Sequence, residues 1–277
     1  MSIIYEPAGK AREYSPLAAN FYNGCDHGCI YCYAPGIRRM ERNAFLNATP
    51  RANIVNQFAA DAKKNYCCQK QILFNFMGDP YCKANDKFGI TRQCLEYALE
   101  NKLPIAILTK GGTRCLQDIA LFQKFGAHIM VGATLTFYDT KKSTQWEPGA
   151  ANPAERLQTL KTLHDSGIRT FASFEPVIEP EESLALMKAG INFIDDYKVG
   201  KLNNFQGLDK KINWTDFLQK TVTLLRSHNK SFYIKDDLAA NAPSIKLFGN
   251  ERIADAHTIT PWEKEESSHN TSFQLDL

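Results

Sequence analysis

Apolar and polar positions fall along this chain in a repeated two-part pattern. Six short, nearly continuous apolar runs occur at residues 17–22, 71–77, 104–109, 128–136, 169–178 and 193–199. Each is followed by a stretch with apolar residues at helical spacing, at 50–64, 90–101, 116–125, 153–166, 179–189 and 214–228. In the first helix Ile54, Val55, Phe58 and Ala62 make the apolar stripe, with Thr49 as N-cap and Pro50 at the first helical position. Gly126 and Gly167 close two of the later helices. Six strand–helix units in succession predict an α/β fold with a parallel sheet and helices outside it. Unbroken apolar runs, as opposed to alternating ones, belong to strands buried on both faces. Each strand ends in a loop carrying glycine or polar residues, and these loops are expected to gather at the C-terminal rim, where barrels of this type place their chemistry.

The flanks are less regular. Residues 1–16, with Pro7, Gly9 and Pro16, read as an extended lead-in to a barrel spanning 17–228. A further strand candidate at 231–235 opens a C-terminal extension, 229–262, that either extends the sheet or covers the barrel opening. Residues 263–277 are polar and aperiodic and read as a mobile tail.

Composition narrows the class. A chain of 277 residues with 44% hydrophobic and 23% charged residues fills one main core with an appendage. Its net charge of +3 is too small to argue for nucleic acid by itself. The N-terminus lacks the basic start and apolar run of a signal peptide, and no apolar stretch is long enough for a bilayer, so a cytoplasmic, membrane-free protein is expected. In a reducing compartment its eight cysteines read as metal ligands and buried thiols.

Three of those cysteines, Cys25, Cys29 and Cys32, stand in a Cys-x3-Cys-x2-Cys loop between the first strand and the first helix. One short loop with three thiolates suits a four-iron, four-sulfur cluster that leaves one iron free to bind a small molecule. Zinc would need a fourth ligand, for which His27 is the candidate. Cys67, Cys68, Cys82, Cys94 and Cys115 form no second Cys-x2-Cys pair, so a single cluster is expected. Polar residues cluster at the strand ends: Gly78 and Asp79 after the second, Lys110 after the third, Thr134 and Thr136 on the fourth, and Glu175 on the fifth. Asp79 before Pro80 also suits ordinary turn chemistry. Arg156 has Glu147 as its natural partner; Lys198, Lys201 and Asn203 line the rim, either to hold a phosphate or as a solvated face. Lys235, beside Asp236 and Asp237, reads either as closing over a substrate or as surface.

The cysteine loop, with Tyr31 just before its last cysteine, resembles the signature of radical S-adenosylmethionine enzymes. The residues 11–17, 23–33, 79–81, 108–110, 147–148 and 156–157 follow the order of the spore photoproduct lyase-like branch, also called DNA repair photolyase-like. The resemblance runs from about Glu13 to Asn204 and implies a partial (β/α)6 radical SAM barrel. It implies that Cys25, Cys29 and Cys32 ligate the cluster and that Tyr31, Gly78, Asp79, Lys110, Thr134 and Glu175 contact S-adenosylmethionine or substrate. Asp79 would receive the cofactor's ammonium, Lys110 its carboxylate and Tyr31 its adenine. A flavodoxin- or ferredoxin-like donor would supply the electron that starts the radical reaction, and a modified or damaged nucleobase would be its substrate. The chain departs from that branch in one place. The lyases keep a hydrogen-donating cysteine just upstream of the acid, where this chain has Phe76 and Met77. Cys82, from the other side, and Tyr33 are the catalytic candidates that remain. Two alternatives stand beside this reading: a radical enzyme acting on a small metabolite or nucleotide, and an iron–sulfur redox sensor without catalysis.

Overall fold

The computed structural model describes residues 2–203 and 205–264; Asn204 and residues 265–277, which hold most of the polar tail, lie outside the described residues. Among the described residues there are nine strands: β1 (Leu17–Ala19), β2 (Tyr22–Asn23), β3 (Thr49–Pro50), β4 (Ile72–Phe74), β5 (Ile105–Thr109), β6 (Ile129–Thr134), β7 (Arg169–Phe174), β8 (Asp196–Val199) and β9 (Ser231–Ile234). Seven form one parallel sheet in the order β1-β4-β5-β6-β7-β8-β9. All six apolar runs supply a strand to it. The candidate at 231–235 is the seventh, pairing with β8 from Asp196↔Ser231 to Val199↔Ile234. It therefore extends the sheet.

Alternate residues divide the sheet into two faces. Ile72, Phe74, Ile105, Ile107, Ile129 and Val131 point outward and pack with Phe58, Cys94, Leu95 and Phe122 of the surrounding helices. Ala172, Phe174, Tyr197, Val199, Phe232 and Ile234 do the same for the second half, against Phe217, Leu218 and Leu225. Each such buried side chain contributes roughly 1.5–3 kcal/mol relative to exposure. The inner face carries Ala18, Leu73, Ala106, Met130 and Phe171 on the first five sheet strands. On the last strands it becomes polar, with Ser173, Asp196, Lys198 and Tyr233 all buried.

Two local expectations give way. Thr49 and Pro50 do not start a helix; they pair antiparallel with Asn23 and Tyr22, and the helix Ile54–Lys64 begins after Asn53. Pro50 lacks an N–H, which a two-residue edge ladder tolerates as well as a first helical turn does. The ladder draws together the two ends of the cysteine loop. The lead-in is also more than an approach. β1 and β9 are the two edges of the sheet, and residues 12–15 fill the seam between them. Ser15 Oγ donates to Gln71 O (2.7 Å), while Tyr233 Oη donates to Glu13 (3.0 Å) and Arg12 pairs twice with Asp255 (2.6 and 2.9 Å).

At the opposite end of the barrel the segment 249–259 crosses beneath the strands. Its anchor is His257, buried, with Nδ1 3.0 Å from Asp196 Oδ1 and Nε2 2.8 Å from Asn250 O. Ser231 Oγ (3.0 Å) and Arg169 (3.3 Å) also donate to Asp196. Burial alone would raise the Asp196 carboxyl; His257, together with Lys198 and Arg169, outweighs it and holds the group below its ordinary 3.8. A depressed folded-state value means stability that is complete above the ordinary carboxylate range and is lost as pH falls through the folded value. Asp196→Asn is accordingly expected to cost about 3 kcal/mol in urea unfolding at about pH 7, and visibly less near pH 3. An equal cost at both pH values would assign the effect to packing and not to charge.

Candidate active site at the C-terminal rim

The cysteine loop is fixed by backbone before any ligand is considered. Cys25 N–H donates to Phe45 O (2.8 Å), Ile30 N–H to Trp146 O (2.9 Å), Cys32 N–H to Cys29 O (3.0 Å) and Gly149 N–H to His27 O (2.8 Å). Gly149 lies so close to the loop that a Cβ there would stand 2.1 Å from Asp26 O, so only glycine fits. Arg42, ten residues past the last cysteine, donates to the carbonyls of Cys29 (3.2 Å), Ile30 (2.8 Å) and Cys32 (3.0 Å). No sequence motif marks Arg42; it stands in an ordinary polar run, and this clamp escapes a reading of the chain alone.

Cys29 is buried, and Cys25 and Cys32 are half-buried. Burial, followed by the nearby Asp79 carboxylate, pushes the Cys25 thiol up; burial pushes Cys29 up to about 11, with Lys110 opposing. His27 does not join them as a fourth ligand. Its Nδ1 lies 3.1 Å from Gly149 O and its Nε2, which completes no hydrogen bond, lies 3.0 Å from Asp79 Oδ2, so each ring nitrogen lies against an oxygen. Among the described residues no three His, Cys, Asp or Glu side chains are gathered as a single metal ion requires. A three-thiol set without a fourth protein ligand fits an iron–sulfur cluster with an open iron better than zinc.

Glu147 is the polar centre beside the loop. Its carboxylate is buried and pairs with Arg156 Nη2 at 2.6 Å, as the charges of the two residues suggest from sequence. Tyr31 Oη and Thr136 Oγ1 (3.0 Å) donate to Glu147 Oε1, and Lys110 Nζ approaches it at 3.9 Å. Lys110 also lies 5.6 Å from the Tyr31 ring centre. Burial would raise the Glu147 carboxyl, but Arg156 and Lys110 together hold it below the usual range. Arg156 spends its other donors on Ala151 O (2.7 Å) and Thr134 O (2.9 Å). The pair thus ties the cysteine loop, the end of β6 and the helix Pro153–Asp165 to one point. Thr134 is brought here at the end of β6, its side chain buried.

Asp79 sits on the other side of the loop and is fully occupied. Oδ1 accepts from Tyr81 N–H (2.8 Å) and Thr109 Oγ1 (2.6 Å), and Oδ2 from Lys110 N–H (2.7 Å), with His27 beside it. Burial opposes ionisation, but His27 and these donors hold the carboxyl far below its ordinary value. The turn bond to Tyr81 is the local chemistry that Asp-Pro suggests; the bonds to Thr109 and Lys110 carry it across to β5. Gly78 lets the two loops meet, since a Cβ there would stand 2.8 Å from Gly24 O.

Glu175 faces the polar half of the inner wall. Its Oε2 accepts from Tyr14 Oη (3.0 Å) and from the buried Lys235 (2.5 Å), while Oε1 has Lys10 3.8 Å away at the mouth. Lys235 also reaches Glu13 (3.3 Å) and lies 4.2 Å from the Tyr14 ring centre. Tyr33, from the cysteine loop, is exposed over about half of its surface; partial desolvation, then Cys32 and Glu175 nearby, push its phenol up to about 12. Lys198 lies deeper, where burial pushes its ammonium down to about 8, and Lys201 is 3.7 Å from Asp209 with its carbonyl accepting from Asn203 (3.0 Å). Cys82 does not join the mouth. It is fully buried in the outer apolar layer, and burial pushes its thiol up to about 12.

A partial β/α barrel whose C-terminal rim carries three thiols in one short loop is the class that fold and site define. The chain belongs to the radical SAM superfamily, whose sequence profile matches residues 19–189. An uncharacterized protein of Methanocaldococcus jannaschii is 30% identical over 57% of this chain and 59% of the relative. An uncharacterized protein of Mycobacterium tuberculosis is 22% identical over 57% of this chain and 48% of its own length, so the chain spans about half to three fifths of these relatives. Among solved structures, Streptococcus suis SuiB bound to S-adenosylmethionine superposes with a TM-score of 0.59 at 15% identity, covering 83% of this chain and 53% of SuiB. A spore photoproduct lyase variant with bound AdoMet and dinucleoside spore photoproduct gives 0.61 at 11% identity, covering 83% and 78%. At these identities the likeness is one of fold.

If Glu147 is the polar centre, Arg156→Ala strands a buried charge and is expected to lower the unfolding free energy of the iron-free protein by about 3–5 kcal/mol. Adding Glu147→Gln removes that charge, so the double variant should be more stable than Arg156→Ala alone. Strictly additive losses in urea titrations would refute the coupling.

Proposed function

We propose that this protein is an enzyme that uses one four-iron, four-sulfur cluster on Cys25, Cys29 and Cys32 to act on S-adenosylmethionine. When bound, that cluster supplies the electron for reductive cleavage of S-adenosylmethionine to methionine and a 5'-deoxyadenosyl radical, which takes a hydrogen atom from the substrate. The observation that carries this reading is convergence: the three-thiol loop has Tyr31, Lys110 and Glu147 on one side and Tyr33, Glu175 and Lys235 on the other.

The first group, with Thr134 and Gly78, borders the cofactor's place. Lys110 is there a point cation for a carboxylate, and Tyr31 a ring for the adenine. Asp79, with its oxygens engaged, acts by holding Lys110, Thr109 and His27 in register, in place of the ammonium contact expected from resemblance. Tyr33 and Glu175 face the substrate. A reducing, cytoplasmic setting suits this thiol set; among the described residues no helix is long and apolar enough to cross a membrane.

For substrate we favour a modified nucleobase. Support comes from the order of short motifs shared with the lyase-like branch and from the hydrogen-bonding wall of Tyr14, Ser173, Glu175 and Lys235. A small metabolite or free nucleotide is the second reading, favoured because cations near the mouth are already paired, Lys10 with Asp237 (2.6 Å) and Lys235 with Glu175.

Anaerobic reconstitution with iron and sulfide, followed by reduction with dithionite in the presence of S-adenosylmethionine, is expected to release 5'-deoxyadenosine. Cys29→Ala should release none. Equal yields from the two proteins would remove the enzymatic reading and leave a redox sensor. Oligonucleotide binding that weakens steeply with salt would favour nucleic acid, and none at low salt a small substrate.

A further inference from the structure

Among the described residues nine large hydrophobic side chains are well exposed, and four of them, Ile30, Tyr33, Ile37 and Leu46, fall within one stretch around the last cysteine. Tyr33 turns toward the barrel mouth. The other three lie on the outside of the cysteine loop: Ile30 between Cys29 and Cys32, Leu46 against Gly28, and Ile37 on the short helix Ala34–Ile37. Residues 30–46 carry three arginines, Arg38, Arg39 and Arg42, against the single acid Glu41. All three arginines are exposed. Arg42 is both on this surface and hydrogen-bonded to the carbonyls of two cysteines of the thiol set.

We infer that this face is the docking surface of a small acidic electron-carrier protein, with Ile30, Ile37 and Leu46 as its apolar centre and Arg38, Arg39 and Arg42 as its charged rim. The inference rests on the reading that the loop holds a cluster. An apolar centre bounded by charge is the anatomy of a protein–protein contact, whereas isoleucine and leucine offer nothing to a phosphate backbone. Electron-transfer encounters are small and are steered by opposite charge, which a local excess of arginine supplies for an acidic partner. The face also adjoins the thiol loop itself. Arg42 connects solvent to the backbone of Cys29 and Cys32 through single hydrogen bonds. In the transfer one electron would pass from the carrier's reduced flavin to the iron–sulfur cluster held by the three thiolates; the carrier is oxidised by one electron, the cluster is reduced by one, and no bond forms or breaks.

Flavodoxin is the probe. Ile37→Asp and Arg39→Glu alter the face without touching the thiols, their hydrogen bonds or the barrel mouth, and Lys124→Glu makes a charge reversal on the helix Ile119–Phe125. Flavodoxin binding to the reconstituted full chain, followed by titration, is expected to weaken about tenfold in each face variant, to weaken with salt in the wild type, and to stay unchanged in Lys124→Glu. Formation of 5'-deoxyadenosine should fall when reduced flavodoxin supplies the electrons and stay at the wild-type level when dithionite does. Wild-type flavodoxin affinity in both face variants, or no binding by the wild type, overturns the inference. So does a change in the sedimentation of the chain alone, which would make the face a self-interface, or a loss of oligonucleotide binding with flavodoxin binding intact. Absence of dithionite-driven cleavage in the wild type would count against the proposed reaction, while the titration would still decide the docking surface.

Discussion

A carboxylate with no access to water holds the upper part of this molecule together. Glu147 meets Arg156 at 2.6 Å, and that guanidinium also reaches the last carbonyl of β6 and the segment leading into the helix Pro153–Asp165. Burying two charges is costly, and an apolar pair of similar volume would be at least as stable. What the ion pair adds is direction: its planar, two-sided donor set fixes where the connection after β6 lies, and the backbone of Trp146 and Gly149 then fixes the cysteine loop. Geometry at the thiols is thus inherited from a contact that touches none of them.

The Asp79 cluster plays the matching part on the other flank. It binds the end of β5 through Thr109 and Lys110 and meets the loop through His27. The thiol loop is therefore gripped from two strands, β5 and β6, that neighbour each other in the sheet. Thr109, Lys110 and Thr134, which contribute to the grip, stand at or just beyond strand ends, which is why the parallel arrangement matters: it brings all strand ends to one rim.

Much of this was legible in the chain. The six apolar runs located six strands of the main sheet and the separate candidate at 231–235 the seventh, because parallel strands buried on both faces leave a signal that needs no partner to be read. The three cysteines and the strand-end polar residues were legible for the same reason, each being a local cluster. What escaped was long-range. Nothing local in Arg42 says that it will meet three carbonyls of a loop behind it. Asp79 looks the same in sequence whether its oxygens are free or filled, and filling depends on a strand about thirty residues away. Thr49 and Pro50 carry a helix-start signal that the pairing with β2 overrides. Cys82 illustrates the limit in one dimension: it stands three residues from Asp79 and yet faces the outer helical layer.

The seam between β1 and β9 has a mechanical consequence. Elsewhere around the barrel, neighbouring strands are joined by ladders whose bonds break only together. At the seam β1 has only an isolated bridge to the backbone of Tyr5, and the join to β9 is made of separate contacts of Glu13 with Tyr233, Lys235 and Asp236, beside one exposed ion pair, Arg12 with Asp255. An exposed pair of that kind is individually weak. The girth of the barrel is therefore set by a strap and not by a closed weave, and the wall carrying Glu175 and Lys235 is the one beside the strap. Any widening of the barrel would be taken up first at that wall, while the thiol loop, anchored at the ends of β5 and β6, keeps its shape.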